Sequence, residues 1–406
     1  MKLVAIDIGT TKICVLIAQQ TIDNSFEIIG IGTAPSKGLA RGVVVDILSA
    51  AHSIKTAIKE AELMAGCKVE SALIGISGSH INSFTSQGMI SLKHKDIREH
   101  DMNQVLAVAQ AVPLAEGQQI LHALPQFYTI DGNQKVQDPL GMFGMRLEVQ
   151  VHMITGAIGS VQNLIRCCEL AGVKVQDIVL EPLASAHAVL SADEREMGVA
   201  LLDIGGGTSD FAIYQHGAMR HTKVFPYAGT LFTNDIAVVL RTTLADAERI
   251  KKEYGCVYGD YVVPGHEIEV ECAHGDQKMM VQESQVYEIL ECRITELLLL
   301  VEQEIEHYYV SVSGGAPHGG LVITGGGSLL HGLQEHAQRL LRLPVRIGRP
   351  KVIHFKEFLE NPMHATGYGL LVYGMKKLHG DARTSFNGSL SQKVLSRMKS
   401  WVFDFF

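Results

Sequence analysis

Long apolar runs are missing from this 406-residue chain. No stretch approaches the ~20 residues needed to cross a bilayer. The densest, residues 297–301, is flanked by Glu296 and Glu302, so no transmembrane helix is expected. Met1-Lys2 runs straight into a strand carrying Asp7, and no signal peptide is expected either. The seven cysteines (14, 67, 167, 168, 256, 272 and 292) make no C-x-x-C pair and no zinc spacing, and their odd count suits a reducing compartment. The histidines include no H-E-x-x-H. Basic residues are not in excess: a net charge of −8 and a pI of about 6.1 argue against general nucleic-acid binding. Tryptophan occurs once, at 401. What remains, 47% apolar and 19% charged residues, is ordinary for a globular chain long enough for two or more domains.

Within that ordinary background one stretch stands out: Leu201-Leu202-Asp203-Ile204-Gly205-Gly206-Gly207-Thr208-Ser209-Asp210, followed by Phe211-Ala212-Ile213-Tyr214. It reads as strand, tight turn, strand. Glycine lets a backbone approach a ligand without a Cβ clash, and successive N–H groups in such a turn can cradle an anion. An aspartate at the strand end can hold a metal ion, directly or through water, beside a phosphate. The pattern recurs near the start as Leu3-Val4-Ala5-Ile6-Asp7-Ile8-Gly9-Thr10-Thr11-Lys12, with Asp7 and Asp203 203 − 7 = 196 positions apart. A third run, Thr324-Gly325-Gly326-Gly327-Ser328, follows a short apolar strand and precedes a helical pattern over 329–341. Each run alone could be a structural turn; together they suggest two similar halves closing on one nucleotide. A P-loop is excluded because Lys12 lies before strand residues, and the dinucleotide fingerprint fails where Asp210 replaces its third glycine.

In chain order, strands are expected at 3–17 and 26–33 with a turn at 23–25, a helix over 44–65 stopped by Gly66, and a strand at 71–77. Residues 79–157 form an insertion of strand, helix, strand, strand. Helix 160–171, strand 175–180 and helix 182–190 follow, with 191–196 as an exposed hinge. The second half repeats the scheme: a hairpin at 199–225, helices at 230–240 and 244–254, and a long helix over 286–309. Residues 379–389 read as a polar linker. In 390–406, Leu390, Val394, Met398, Trp401, Val402 and Phe405 share a helical sector opposite Lys393, Arg397 and Lys399. This wheel suits an in-plane anchor on anionic lipid; a helix docked on the body would show the same wheel. Cations contribute only about 1 kcal/mol each near such a surface, so avidity in an oligomer would be needed for firm attachment.

The loops at Asp7–Lys12 and Asp203–Asp210, with Gly325–Gly327, resemble the two phosphate motifs and the adenosine motif of the actin / sugar kinase / Hsp70 superfamily. Within it, the chain resembles nearly end to end the FtsA family of bacterial cell-division proteins. Supporting stretches are Ala61-Glu62-Leu63-Met64-Ala65 and His221-Thr222-Lys223-Val224-Phe225-Pro226-Tyr227-Ala228-Gly229. The resemblance implies an α/β, actin-like two-domain fold with duplicated mixed sheets flanked by helices. It implies core subdomains at 1–78 with 158–195 and at 196–229 with 311–378, an inserted α+β subdomain at 79–157, an outer subdomain at 230–310, and the C-terminal amphipathic helix as a membrane-targeting sequence.

It further implies ATP and Mg²⁺ held by Gly9, Thr10, Thr11 and Lys12 from one half and by Gly205, Gly206, Gly207 and Thr208 from the other. Asp7 and Asp203 would act on Mg²⁺ through water. Gly325, Gly326, Gly327 and Ser328 would lie toward the adenosine, and Glu248, Lys251 and Lys252 toward base and ribose. Glu181 would sit close to a nucleophilic water, although a carboxylate at a helix start explains it equally well; slow ATP turnover or none would fit. The implied partners are a second copy in an actin-like filament, the C-terminal tail of the tubulin-like FtsZ, later division proteins and anionic lipid at the cytoplasmic face of the inner membrane. Arg293 is a candidate FtsZ contact, or simply a surface charge. Alternative functions are a small-molecule kinase and another cytoskeletal or pilus-assembly ATPase of this fold.

Overall fold

The computed structural model describes residues 1–21, 26–94, 96–273, 278–312, 316–352 and 355–378. The expected turn at 23–25, the linker and the amphipathic tail lie outside the described residues.

The first half begins with an antiparallel meander, β1 (Lys2–Ile8), β2 (Lys12–Gln20) and β3 (Phe26–Pro35). A two-rung ladder, β4 (Leu39–Ala40) with β5 (Val43–Val44), precedes helix α1 (Ile47–Ala65) and strand β6 (Ser71–Ile76). That ladder is why α1 starts at Ile47 rather than 44: Val43 and Val44 are in strand pairing, and Asp46 caps the helix by accepting from the Leu48 and Ser49 amides. Gly66, at φ 63°, ends it in the left-handed conformation that glycine adopts without strain.

The insertion is β7 (Asn82–Ser91), α2 (Glu99–Gln110), β8 (Gln118–Ile130), β9 (Gln134–Val136) and β10 (Arg146–Ala157), with a sheet in the order β7-β10-β8-β9. It has its own core, in which Val105, Leu106 and Ala109 pack against Leu147, Val149 and Met153. Helix α3 (Ile158–Ala171), strand β11 (Lys174–Leu180) and helices α4 (Glu181–Val189) and α5 (Ala192–Met197) complete the half. The expected hinge at 191–196 is instead the capped helix α5. Ser191 and Glu194 form a capping box, and Arg346 grips Glu194 with two bonds of 2.7 and 2.8 Å.

The second half starts with the meander β12 (Val199–Ile204), β13 (Ser209–Gln215) and β14 (Ala218–Phe225). Helices α6 (Gly229–Val239) and α7 (Leu244–Tyr254), hairpin β15 (Glu267–Glu271) and β16 (Lys278–Gln282), and the long α8 (Glu283–Val312) form its outer part. Strand β17 (Leu321–Thr324), α9 (Leu333–Leu341), β18 (Val345–Ile347), α10 (Lys356–Leu359) and α11 (Ala365–Leu378) close the described chain. The helix expected from 329 begins only at Leu333, because Gly326–Leu329 winds as a 3₁₀ turn and Gly332 takes a left-handed φ of 78°.

The two large sheets run β3-β2-β1-β6-β11 and β14-β13-β12-β17-β18. In each, the first three strands are antiparallel and the last two join in parallel. Strands buried on both faces read as continuous apolar runs, which is why β1, β2, β12 and β13 show no alternation. Helices α4 and α11 cross so closely that a Cβ on Gly369 would stand 2.0 Å from the Ala184 carbonyl oxygen. Gly369→Ala should therefore force the helices apart and lower stability by about 1–3 kcal/mol, read as a reduced urea midpoint with unchanged m-value.

Candidate functional site

Each large sheet sends a four-residue turn toward the seam between the halves. In the first, Ile8 pairs with Ile13 and the Gly9 amide donates to the Lys12 carbonyl at 3.0 Å. In the second, Ile204 pairs with Ser209 and the Gly205 amide donates to the Thr208 carbonyl at 2.9 Å. The same turn is thus built twice, and the two copies meet tip to tip. A Cβ on Gly206 would stand 2.5 Å from the Thr11 side chain, and one on Gly207 2.3 Å from the Thr10 hydroxyl. Only glycine permits that approach. The Thr10 hydroxyl also accepts from the Gly42 amide at 3.1 Å, which fixes the first turn to the loop after β4.

Around the meeting point is a cavity of about 110 Å³. Its lining includes Asp7, Gly9, Thr10, Thr11 and Lys12 from the first half, and Asp203, Gly205, Gly206, Gly207 and Thr208 from the second. Glu181, Gly325 and Gly326 also line it. Residues that the sequence reading did not select join them: Gly42, Ser77, Asp210, Met363 and Thr366. Asp210 had a signal. Adding the 196-residue offset to Cys14 gives 210, so the repeat places a carboxylate where the first half has a thiol. Ser77 and Thr366 come from the end of β6 and the start of α11 and carry no local motif.

The site is acidic, and Asp7, Asp203 and Asp210 are buried. Burial pushes the Asp7 carboxyl up to about 6, Lys12 opposing and Asp203 adding to the effect. Burial likewise lifts Asp210 to about 7, against the bond from the Ser77 hydroxyl and with the Asp203 charge. Glu181 is raised well above the usual range by burial and then by Asp210, Asp7 and Asp203. Asp203 is raised by burial, although two hydroxyls and Lys12 favour its charged form. Those hydroxyls are Ser185 at 2.5 Å from α4 and Thr366 at 3.1 Å from α11. Ser77 donates to Asp210 at 2.5 Å, and Thr208 donates to it at 3.3 Å.

Lys12 brings a cation, but its ammonium is held by the Met363 carbonyl at 2.7 Å and His364 Nδ1 at 3.2 Å. Burial and Lys12 drive His364 down to about 3, so its ring is neutral and accepts. Carboxylates and hydroxyls are hard oxygen donors that suit Mg²⁺. Among the described residues no group of three acidic, histidine or cysteine side chains is arranged to ligate one ion.

The remaining sequence candidates lie beside the cavity rather than in its lining. A Cβ on Gly327 would meet Ile204 at 2.3 Å, and the Ser328 hydroxyl donates to the Gly325 carbonyl at 2.7 Å. Lys251 donates to Glu248 at 2.6 Å, Thr233 at 2.8 Å and the Gly229 carbonyl at 3.0 Å, and Lys252 pairs with Glu248 at 3.1 Å. The Gly229 and Thr230 amides in turn donate to Gly205 and Gly206, so α7 braces the start of α6 behind the second turn. Arg293 is elsewhere, on α8, in a two-bond pair with Asp235 at 2.6 and 3.1 Å and a further pair with Glu296. The apolar and basic tail residues from Leu390 to Phe405 lie outside the described residues.

Raised carboxyls have a definite linkage sign. The folded protein holds more protons than the unfolded chain between roughly pH 4 and 7, so this contribution to stability is lost as pH rises through that window. Asp210→Asn keeps the acceptor and removes the charge. It should flatten the fall in stability across pH 4–7 by up to one proton's worth, about 1.4 kcal/mol per pH unit, in urea titrations at stepped pH. A slope equal to wild type would contradict the buried acid.

Comparison with known proteins follows the same outline. The model for "Cell division protein FtsA" matches residues 200–369, and that for "SHS2 domain inserted in FTSA" matches 78–155. The chain is 42% identical over 98% of its length to cell division protein FtsA of Pseudomonas aeruginosa, covering 97% of that relative. It is 36% identical to the protein of that name from Escherichia coli K12 (98% of this chain, 95% of the relative). The Bacillus subtilis relative is also 36% identical, over 92% of this chain and 83% of the relative. Among solved structures, the PilM-PilN type IV pilus biogenesis complex aligns at TM-score 0.67 and 17% identity, covering 92% of this chain and 98% of that one. MreB5 of Spiroplasma citri bound to AMPPNP aligns at 0.59 and 15% identity, covering 94% and 98%. These likenesses place the fold among the actin-like proteins.

Proposed function

The chain belongs to the FtsA family of bacterial cell-division proteins, and on that basis we propose that it is an ATP-binding, membrane-associated, actin-like polymer that anchors the FtsZ ring. The observation that carries the nucleotide part is the tip-to-tip meeting of two turns with the same backbone hydrogen bond around an acidic cavity. In this reading Gly9 to Lys12 and Gly205 to Thr208 present amides and hydroxyls to the phosphates. Asp7 and Asp203 hold the water shell of Mg²⁺, which supplies positive charge where phosphate and buried carboxylates would otherwise repel. Gly325 to Gly327 and Ser328 lie toward the adenosine, and the Glu248, Lys251 and Lys252 group sits on the base and ribose side. Glu181 would orient a water, with turnover slow or absent. A nucleotide contacting both halves favours the closed arrangement in proportion to its differential affinity, and that arrangement would be the polymerising one.

The rest of the proposal follows the family. Residues 1–78 with 158–195 and 196–229 with 311–378 act as the two jaws, with 79–157 as the inserted subdomain. The outer subdomain 230–310 receives the FtsZ tail, and Arg293 contributes to that surface as part of its pair with Asp235. Residues 390–406 lie in anionic lipid at the cytoplasmic face of the inner membrane, joined by the 379–389 linker. The absence of any membrane-crossing helix among the described residues is compatible with such attachment. Later division proteins join the assembly at the division site.

Isothermal titration with ATP and Mg²⁺ should show binding to wild type and its loss in the Asp203→Asn, Gly206→Val double variant, with circular dichroism confirming the fold; wild-type affinity in that variant rejects the site. Co-sedimentation with anionic liposomes should fall to background when residues 390–406 are removed, and equal pelleting of the truncated chain rejects the anchor.

A further inference from the structure

A second, larger cavity of about 540 Å³ lies away from the acidic seam, where the insertion meets both halves. Strand β8 contributes Leu124 and Phe127, α4 contributes Leu183, and the β13–β14 hairpin contributes Met219. The size and apolar walls are those of a small-molecule pocket. Polar side chains also line it, and they are unevenly satisfied. Tyr128 is only 3% exposed, lines the cavity, and its hydroxyl has no hydrogen-bond partner. Leaving such a group dry costs about 1–3 kcal/mol.

The charges in this cavity are also unevenly matched. Arg195, on α5, reaches His187 Nδ1 at 3.5 Å, the Ser191 carbonyl at 3.3 Å and the Leu190 carbonyl at 3.4 Å. All three acceptors are neutral, and all three distances exceed the 2.7–2.9 Å of a well-formed charge-assisted bond. Lys376 approaches the same imidazole nitrogen at 3.4 Å. Two cations therefore converge on one histidine, whose own protonation burial and both cations oppose, down to about 3. The two carboxylates lining the cavity are turned to other groups: Asp138 accepts from the Leu140 amide at 3.0 Å, and Glu196 faces His216 at 3.8 Å.

We propose that this cavity binds a small amphipathic carboxylate, with its anionic head at Arg195, its apolar body against Leu124, Phe127 and Met219, and a second acceptor for the Tyr128 hydroxyl. A carboxylate gives Arg195 a bidentate partner that no described residue supplies, and an apolar body fills the walls. Because those walls come from the insertion and from both halves, an occupant would also tie the three together.

The test uses full-length protein and the fluorescence of 1-anilinonaphthalene-8-sulfonate, an aromatic monoanion, displaced by octanoate or by neutral octanamide. One saturable site per chain is expected, displaced by octanoate. Ala218→Phe, which narrows the cavity from the hairpin, should weaken the probe tenfold or more. Arg195→Gln should weaken octanoate about tenfold and leave octanamide unchanged. Urea midpoints equal to wild type would show that both variants fold. Undiminished probe binding in Ala218→Phe puts the site elsewhere and overturns the proposal, as does an Arg195→Gln change that affects both competitors alike or neither.

Discussion

The crowding of acidic side chains at the seam constrains everything around it. Asp7 and Asp203 sit one residue from the ends of the first strands of the two meanders, paired with Cys14 and Asp210, and both side chains are buried. Glu181 and Asp210 are brought to the same place, the one by the start of α4 and the other by the strand that returns from the second turn. Burying like charges together is unfavourable unless they are protonated, paired or faced by a cation. Without a partner the cluster takes up protons.

Long-range contacts hold that arrangement in register. Asp203 from the second sheet is gripped by Ser185 on α4 and Thr366 on α11, and these two helices cross at the glycine contact of Gly369. Asp210 is gripped by Ser77, the residue at the end of β6 from which the chain departs into the insertion. The acidic seam therefore joins the two sheets, two core helices and the root of the insertion. Outer elements such as α8 and the β15–β16 hairpin contribute packing of their own and leave this joint untouched.

Much of this was written locally in the sequence. The meanders, α1, the insertion's strands and the twin turns follow from apolar runs broken by glycine, because strand pairing and tight turns depend on neighbours a few residues apart. The departures have equally physical causes. Residues 191–196 are polar and read as a hinge, yet a capping box and Arg346, more than 150 positions away, make them a helix. Residues 329–332 look helical by composition, but Gly332 breaks the winding. At the site, the glycines and strand-end aspartates announce themselves. Ser77, Ser185 and Thr366 do not, since a lone hydroxyl gains a role only when distant elements converge on it. The resemblance turns Glu248, Lys251 and Lys252 toward a base and ribose; in the fold Glu248 pairs with both lysines and Lys251 braces the start of α6.

The internal repeat is not exact, and one rung of the two hairpins differs in charge. Opposite Asp7 stands Cys14, a buried thiol pushed up to about 12, whose sulfur lies 3.7 Å from His364. Opposite Asp203 stands Asp210. Two copies of one hairpin would otherwise give a clamp that reads the same from either side. The exchange of thiol for acid gives the clamp a polarity, with an extra carboxyl on the second half and the ammonium of Lys12 in the lining on the first. A guest of uneven charge entering such a cleft has one way round that suits both sides, so the direction in which it lies is written into these departures from symmetry.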